Sequence, residues 1–178
     1  MENASAILFD TALGRCGIAW GPKGVLAVSF PEPSEAETLA RLSKRAGDVA
    51  LVEAPPQQIA RIIDDIAALF EGEKRDLAYV ELDMEGVAAF ERDLYALTVD
   101  IKPGETKTYG ELARALGDVS FSQRVGQSLG RNPWPIIVPC HRVLGAGGRM
   151  TGFSAPGGVE AKRRLLKIEG AIGPDLFD

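Results

Sequence analysis

Three short apolar runs near the start of the chain, each closed by a turn signal, constrain its fold more than any other feature. Ala4–Asp10, Arg15–Trp20 and Gly24–Phe30 each have the length of one strand. Thr11–Gly14 and Gly21–Gly24 between them carry the glycines that tight turns use. The reading is an antiparallel meander. Helices follow it. Ser34 caps one, with Glu37 at the capping-box position and Leu39 and Leu42 on its apolar face. Pro55-Pro56 open a second, with Ile59, Ile62, Ile63, Ile66 and Leu69-Phe70 at helical spacing. Glu71–Asp76 is a charged loop, and the weak alternation of Leu77–Leu82 predicts a further strand. Gly86–Ile101 predicts a helix with Phe90, Leu94 and Leu97 on one face, ended by Lys102-Pro103-Gly104-Glu105. A sheet followed by helices is an α+β arrangement, and the domain boundary is placed at residue 85.

Beyond that boundary the rhythm changes. Thr108 caps a short helix over Tyr109–Leu116, with Glu111 at its capping-box position, and Gly117-Asp118 turns the chain. Ser122 starts a second short helix, Gln123–Gly130, which Asn132-Pro133 stops. Two short helices joined by a tight turn describe a helix-turn-helix. The second is made mostly of small and polar residues, with Arg124 its one arginine, which suits close approach to a backbone or a narrow minor groove better than base reading in the major groove. A last helix is expected over Gly158–Ile168, with Val159, Leu165, Leu166 and Ile168 as its apolar positions.

Charge divides at a similar place. Residues 1–100 hold 9 Lys/Arg and 18 Asp/Glu, a net of −9, whereas residues 101–178 hold 11 and 7, a net of +4. A basic module joined to an acidic one fits a chain whose second half meets a polyanion; solvated surface charge is the plainer alternative. The two cysteines, Cys16 and Cys140, make no disulfide framework, and a reduced, cytoplasmic compartment is expected. Together with the single histidine, His141, they cannot readily fill a structural zinc site, so no metal or cofactor is expected. No apolar run is long enough to span a bilayer, and MENASAILFD lacks the basic start of a secretory signal. No membrane partner is expected.

A thiol attacks well only as a thiolate, and it needs a neighbouring base or a positive field to become one. Cys140 is followed directly by His141 and Arg142. Adjacency alone does not place an imidazole on a sulfur, because consecutive side chains often diverge; a water could bridge them. A cysteine beside a histidine is more often structural than catalytic. The coincidence raises the odds: the only histidine adjoins one of two cysteines, beside a helix-turn-helix, in the basic half. Cys16, in an expected strand, reads as a packing residue.

The run Asn132-Pro133-x-Pro135-Ile136-Ile137-Val138-Pro139-Cys140-His141-Arg142-Val143 closely resembles the active-site signature of the 6-O-alkylguanine-DNA alkyltransferases, also called methylated-DNA–protein-cysteine methyltransferases. Thr108-Tyr109-Gly110-Glu111-Leu112-Ala113, Thr151-Gly152-Phe153-Ser154 and Lys162-Arg163-Arg164-Leu165-Leu166-x-x-Glu169-Gly170 are similar to family segments too. The close match covers about residues 86–171, and the first 85 resemble the family's variable N-terminal domain in layout only. The resemblance implies an N-terminal ribonuclease H-like sheet-and-helix domain over 1–85. Over 86–178 it implies a winged helix-turn-helix-like alkyltransferase domain.

The resemblance further implies a monomer that binds double-stranded DNA through the minor groove, flips out an alkylated guanine or thymine and moves the alkyl group irreversibly to Cys140. Glu169 would hold His141, which would act on Cys140 through a water. Tyr109 would rotate the target's phosphate and donate to the leaving base, and Asn132 would be the hinge after the recognition helix. The family residue that fills the gap in the duplex is usually an arginine 17 positions before the cysteine; here that position is Gln123, and a one-residue shift would substitute Arg124. Leu129 and Arg131, at the end of the same helix, belong to the implied DNA- and base-binding set. The carbonyls of Cys140 and Val143 would accept from the guanine amino group. Ser154 would donate to the alkylated oxygen, and Phe153, where many relatives have tyrosine, would stack without donating. Ala155-Pro156 read as an insertion at the pocket rim. The alternative from the binding class is a sensor that flips alkylated bases without repairing them, against which Cys140 itself argues.

Overall fold

The computed structural model describes residues 4–151, 153, 155 and 157–173. Strands β1 (Ala4–Thr11), β2 (Gly14–Gly21) and β3 (Gly24–Ser29) form the expected antiparallel meander. Helix α1 (Glu35–Ala46) then crosses over to β4 (Val49–Leu51), which lies parallel to β1, so the sheet order is β3-β2-β1-β4. At three residues β4 is too short to show alternation, and the sequence reading passes over it. Ser34 caps α1 as expected, its Oγ accepting from Glu37 N at 3.2 Å. Small residues hold α1 close to one sheet face: Ala6, Ala19, Ala27 and Leu42 form a compact cluster there. A Cβ on Gly17 would stand 2.9 Å from Leu42 Cδ1 and 3.0 Å from Thr38 Cγ2.

The opposite face meets everything else. Helix α2 (Gln57–Phe70), opened by Pro56, buries Ile59, Ile62, Ile66 and Leu69 against it. The strand expected at Leu77–Leu82 is a correction: the segment is irregular and makes a single bridge, Val25 to Leu82. Its pairing is confined to Val25 N donating to Glu81 O and Asp83 N to Val25 O, both at 2.9 Å, beside Gly24, where a Cβ would sit 2.6 Å from Glu81 O. Helix α3 spans Ala89–Val99 rather than Gly86–Ile101. Gly86 holds φ +80 and cannot start it, and Pro103 disfavours helical backbone just before it.

Helices α4 (Tyr109–Ala115) and α5 (Ser122–Gly130) follow, joined through a 3-10 turn at Val119–Phe121. Thr108 Oγ1 caps α4 by accepting from Glu111 N at 3.1 Å. Lys107–Thr108 (β5) and Val143–Leu144 (β6) form a short parallel ladder. Helix α6 (Gly158–Ile168) has the expected bounds. One buried apolar cluster runs through both halves of the chain, from Phe9, Ile18 and Val28 to Leu129, Trp134 and Leu165. Two hydrogen bonds tie them: Trp134 Nε1 donates to Val25 O at 2.8 Å and Val28 N to Pro133 O at 3.0 Å. Among the described residues, no helix is long and apolar enough to cross a membrane.

Candidate active site

The segment from α5 to β6 is held in an irregular path by its own sequence. Asn132 Oδ1 accepts from Trp134 N at 2.9 Å, and Asn132 Nδ2 donates to Val138 O at 2.8 Å, so one side chain spans the loop. Ile136, buried within it, holds φ +79. A β-branched residue adopts that conformation only where its surroundings enforce it. Pro139 then sits at φ −80, ψ 68, with Cys140 N donating to Val138 O at 2.7 Å, an inverse γ-turn whose φ the proline ring favours. Cys140 opens a single 3-10 turn, Cys140–Arg142, which the sequence reading left undescribed.

That turn sends consecutive side chains to different partners. Cys140, half-buried, lines a pocket with Asn132, Leu129, Phe30, Arg41 and Phe153. His141 is fully buried, and its Nε2 lies 3.0 and 3.1 Å from the two carboxylate oxygens of Glu169. Its Nδ1 has no hydrogen-bond partner among the described residues. Arg142 grips the same carboxylate with both prongs, Nε to Oε1 at 2.9 Å and Nη2 to Oε2 at 2.7 Å, and gives Nη1 to Ile101 O at 2.7 Å. Glu169 caps the C-terminal end of α6, where the helix dipole disfavours an anion. Burial opposes its charge too, but hydrogen bonds from His141 and Arg142 outweigh both and hold its carboxyl down at about 2. The carboxylate is therefore ionised, and burial keeps the imidazole below its ordinary range despite that neighbour.

The sequence reading missed Lys162. It is 1% exposed, and its Nζ donates to Val143 O at 2.6 Å and lies 5.7 Å from the Tyr109 ring centroid. The signal was there: Val159, Lys162, Leu165, Leu166 and Glu169 recur at helical spacing, so two charges lie on the buried stripe of α6. Burial pushes the Cys140 thiol up, while the Asn132 side chain and the Lys162 charge pull it down. Arg142 was also passed over as a functional residue.

Tyr109 starts α4, partly buried; its hydroxyl accepts from Thr151 Oγ1 at 2.8 Å, and burial raises it. A Cβ on Gly126 would lie 3.9 Å from Tyr109 Cε1, so a small residue on α5 keeps the two helices close. Val143 is buried, and its N–H donates to the Cys140 carbonyl. Each of the two carbonyls thus already accepts one hydrogen bond and keeps one lone pair. Gln123, Arg124 and Arg131 are exposed. The Arg124 guanidinium lies 3.9 Å from the Phe90 ring centroid, and its Nη2 is 3.9 Å from Glu91 Oε1, so it is folded back on α3. Phe153 packs edge-on against Phe30 at 5.7 Å. Ser154 and Pro156 lie outside the described residues.

Comparison with known proteins gives a consistent family. Residues 89–171 match the model of the 6-O-methylguanine DNA methyltransferase DNA-binding domain. A methylated-DNA–protein-cysteine methyltransferase of Mycobacterium tuberculosis is 40% identical over 126 residues, covering 69% of this chain and 74% of the relative. One from Methanosarcina acetivorans is 42% identical over 106 residues, 60% of this chain and 65% of its own length. The crystal structure of the M. tuberculosis O6-methylguanine methyltransferase superposes with a TM-score of 0.74 at 30% identity, covering 98% of this chain and 99% of that one. The M. tuberculosis OGT in complex with DNA gives 0.73 at 30% identity, over 94% and 93%. The mixed α+β architecture is common to these structures and this chain.

Proposed function

The chain belongs to the methylated-DNA–protein-cysteine methyltransferase family, and on that premise we propose that it repairs double-stranded DNA by moving the alkyl group of 6-O-alkylguanine, and of 4-O-alkylthymine, onto Cys140. The observation that supports the reading most is the set of groups around that sulfur: Asn132 lining the same pocket, Lys162 bonded to Val143 O, and the His141–Glu169–Arg142 relay that starts in the Cys140 turn itself. The Cys140 proton passes through a water to His141 Nδ1, and Glu169 stabilises the imidazolium. The sulfur attacks the alkyl carbon; the C–O bond breaks and its electron pair goes to the guanine oxygen. The Tyr109 hydroxyl donates to the departing base. The product is a thioether, which thiol exchange does not reverse, so each molecule reacts once.

Exposed on α5, with Arg124 held on Phe90 and Glu91, Gln123 is the residue that fills the gap left by the flipped base. Leu129 walls the pocket, and Arg131 contacts the backbone. The carbonyls of Cys140 and Val143 use their remaining lone pairs for the guanine amino group, Phe153 stacks on the base and Ser154 donates to the alkylated oxygen. Asn132 is the hinge.

We divide the chain at residue 85. An antiparallel meander with a parallel fourth strand beside β1 supports a ribonuclease H-like first part. The α4–α5 pair beside the β5–β6 ladder supports a winged helix-turn-helix second part. The protein works as a cytoplasmic monomer. The test is one incubation with duplex DNA containing 6-O-methylguanine, followed by mass spectrometry of the Cys140 peptide. A gain of one methyl group, at one equivalent per protein, is expected. Tight binding to that DNA with an unmodified peptide would instead identify a damage sensor.

A further inference from the structure

Two cavities meet at Phe30, a residue of the N-terminal half that the alkyl-transfer chemistry does not use. The pocket over Cys140 has about 10 Å³ of free room, close to what one water needs. Next to it, between the β1–β2 hairpin and α6, lies a half-open cleft of about 300 Å³, lined mainly by apolar residues such as Leu13, Pro31, Ala161 and Leu165, with Glu160 and Arg164 among its walls. Phe30 and Ala155 line both, so they form the wall between them. The Phe30 ring is fixed in that wall by two aromatic neighbours: Phe70 stacks at 6.1 Å, and Phe153 meets it edge-on at 5.7 Å. It is 7% exposed, so it stands in the wall rather than on the surface.

Resting on the alkyl-transfer reading above, we propose that Phe30 sets the largest alkyl group the protein accepts, by closing the Cys140 pocket off from the mainly apolar cleft on its other side. The flipped base does not fit into about 10 Å³, so the pocket must widen to admit it, and a methyl group then adds little to the room the base already demands. A benzyl or long-chain group needs apolar volume, and the nearest such volume lies behind the Phe30 ring. Steric rejection of this kind is worth about 10–200-fold for a single methylene in a tight apolar pocket, so a ring held by two aromatic contacts is a sufficient filter. Specificity for the adduct would then be written partly by the N-terminal half, which supplies none of the proposed chemical groups.

The test compares rates of methyl and benzyl transfer from duplexes carrying 6-O-methylguanine or 6-O-benzylguanine. Phe30→Ala should raise the benzyl-to-methyl rate ratio about tenfold or more. Adding Ala161→Phe, which fills the second cavity, should return the ratio towards that of the unmodified protein. Should the alanine variant fail to fold, Phe30→Leu keeps the apolar contact, shortens the wall and should raise the ratio in the same direction by a smaller factor. A ratio unchanged in the folded variant overturns the proposal. Failure of the unmodified protein to transfer methyl overturns the alkyl-transfer reading instead, so the two failures are distinguishable.

Discussion

Cys16 and Cys140 belong to one hydrophobic core, yet their surroundings differ in kind. Cys16 lies in β2 with no exposure, and among the described residues the one hydrogen-bonding contact of its sulfur is with Thr11 Oγ1 at 3.7 Å. Burial dominates and pushes its thiol up to about 11. Burial raises Cys140 as well, but Asn132 and Lys162 work against the rise, and a buried imidazole follows in the next residue. Apolar burial makes a cysteine inert; the same burial with convergent polar groups leaves it able to ionise when a base is at hand. On the alkyl-transfer reading, reactivity belongs to what the fold brings to the sulfur, not to the sulfur's depth.

The sharpest way to break that contrast is to remove each cysteine in turn. Cys140→Ala should abolish methyl transfer entirely, while Cys16→Ala keeps the rate within about twofold and costs on the order of 1 kcal/mol from the small cavity it leaves. Transfer assays with tritiated methyl DNA and denaturant melts read the two effects. Next is the relay. His141→Ala should slow transfer by about 10²–10⁴-fold with folding kept. Glu169→Ala should also destabilise the fold by about 3–5 kcal/mol, because Arg142 would be left buried without its anion. Equal melts for the two variants would refute that separation.

Acid sharpens the relay further. Burial keeps His141 below its ordinary 6.5 in the folded state, so the unfolded chain takes that proton first. Its contribution to stability is complete above about pH 6.5 and declines as the pH falls. The Glu169 carboxyl falls from an ordinary 4.5 to about 2, so its contribution is complete above about pH 4.5 and lost towards pH 2. Unfolding free energies measured from pH 7 to pH 2 should decline in both ranges, and Glu169→Gln should flatten the lower one.

Smaller effects test what surrounds the sulfur and the DNA face. Lys162→Met should slow alkylation of Cys140 by iodoacetamide up to about tenfold at neutral pH and leave Cys16 unreactive, since only Cys140 feels that charge. Gln123→Ala should lower transfer from duplex DNA about fivefold or more, and Arg124→Ala about twofold, with transfer from the free base equal in both. The reverse order would move the gap-filling role to Arg124.

The sequence by itself determined the local pieces. Turn glycines and short apolar runs set the meander, Ser34 and Thr108 set two helix starts, and the Asn132–Val143 signature with Glu169 carried the family resemblance from which the chemistry is proposed. Glu169 was reached only through the resemblance, whereas the turns and helix starts are legible because each depends on residues a few positions apart. The bounds of α3 and the irregular Leu77–Leu82 segment were not, because Gly86 and the close approach at Gly24 act against a pattern that periodicity alone favours. Only the tertiary structure decided which partners the buried charges meet. Helical spacing puts Lys162 on the buried stripe of α6 but names no partner for it; that stripe packs against the Cys140 turn, where Val143 O satisfies Lys162 and Glu169 satisfies Arg142. Pairing at that distance in sequence costs chain entropy that only a shared core offsets, so the partners themselves are not written in the local pattern.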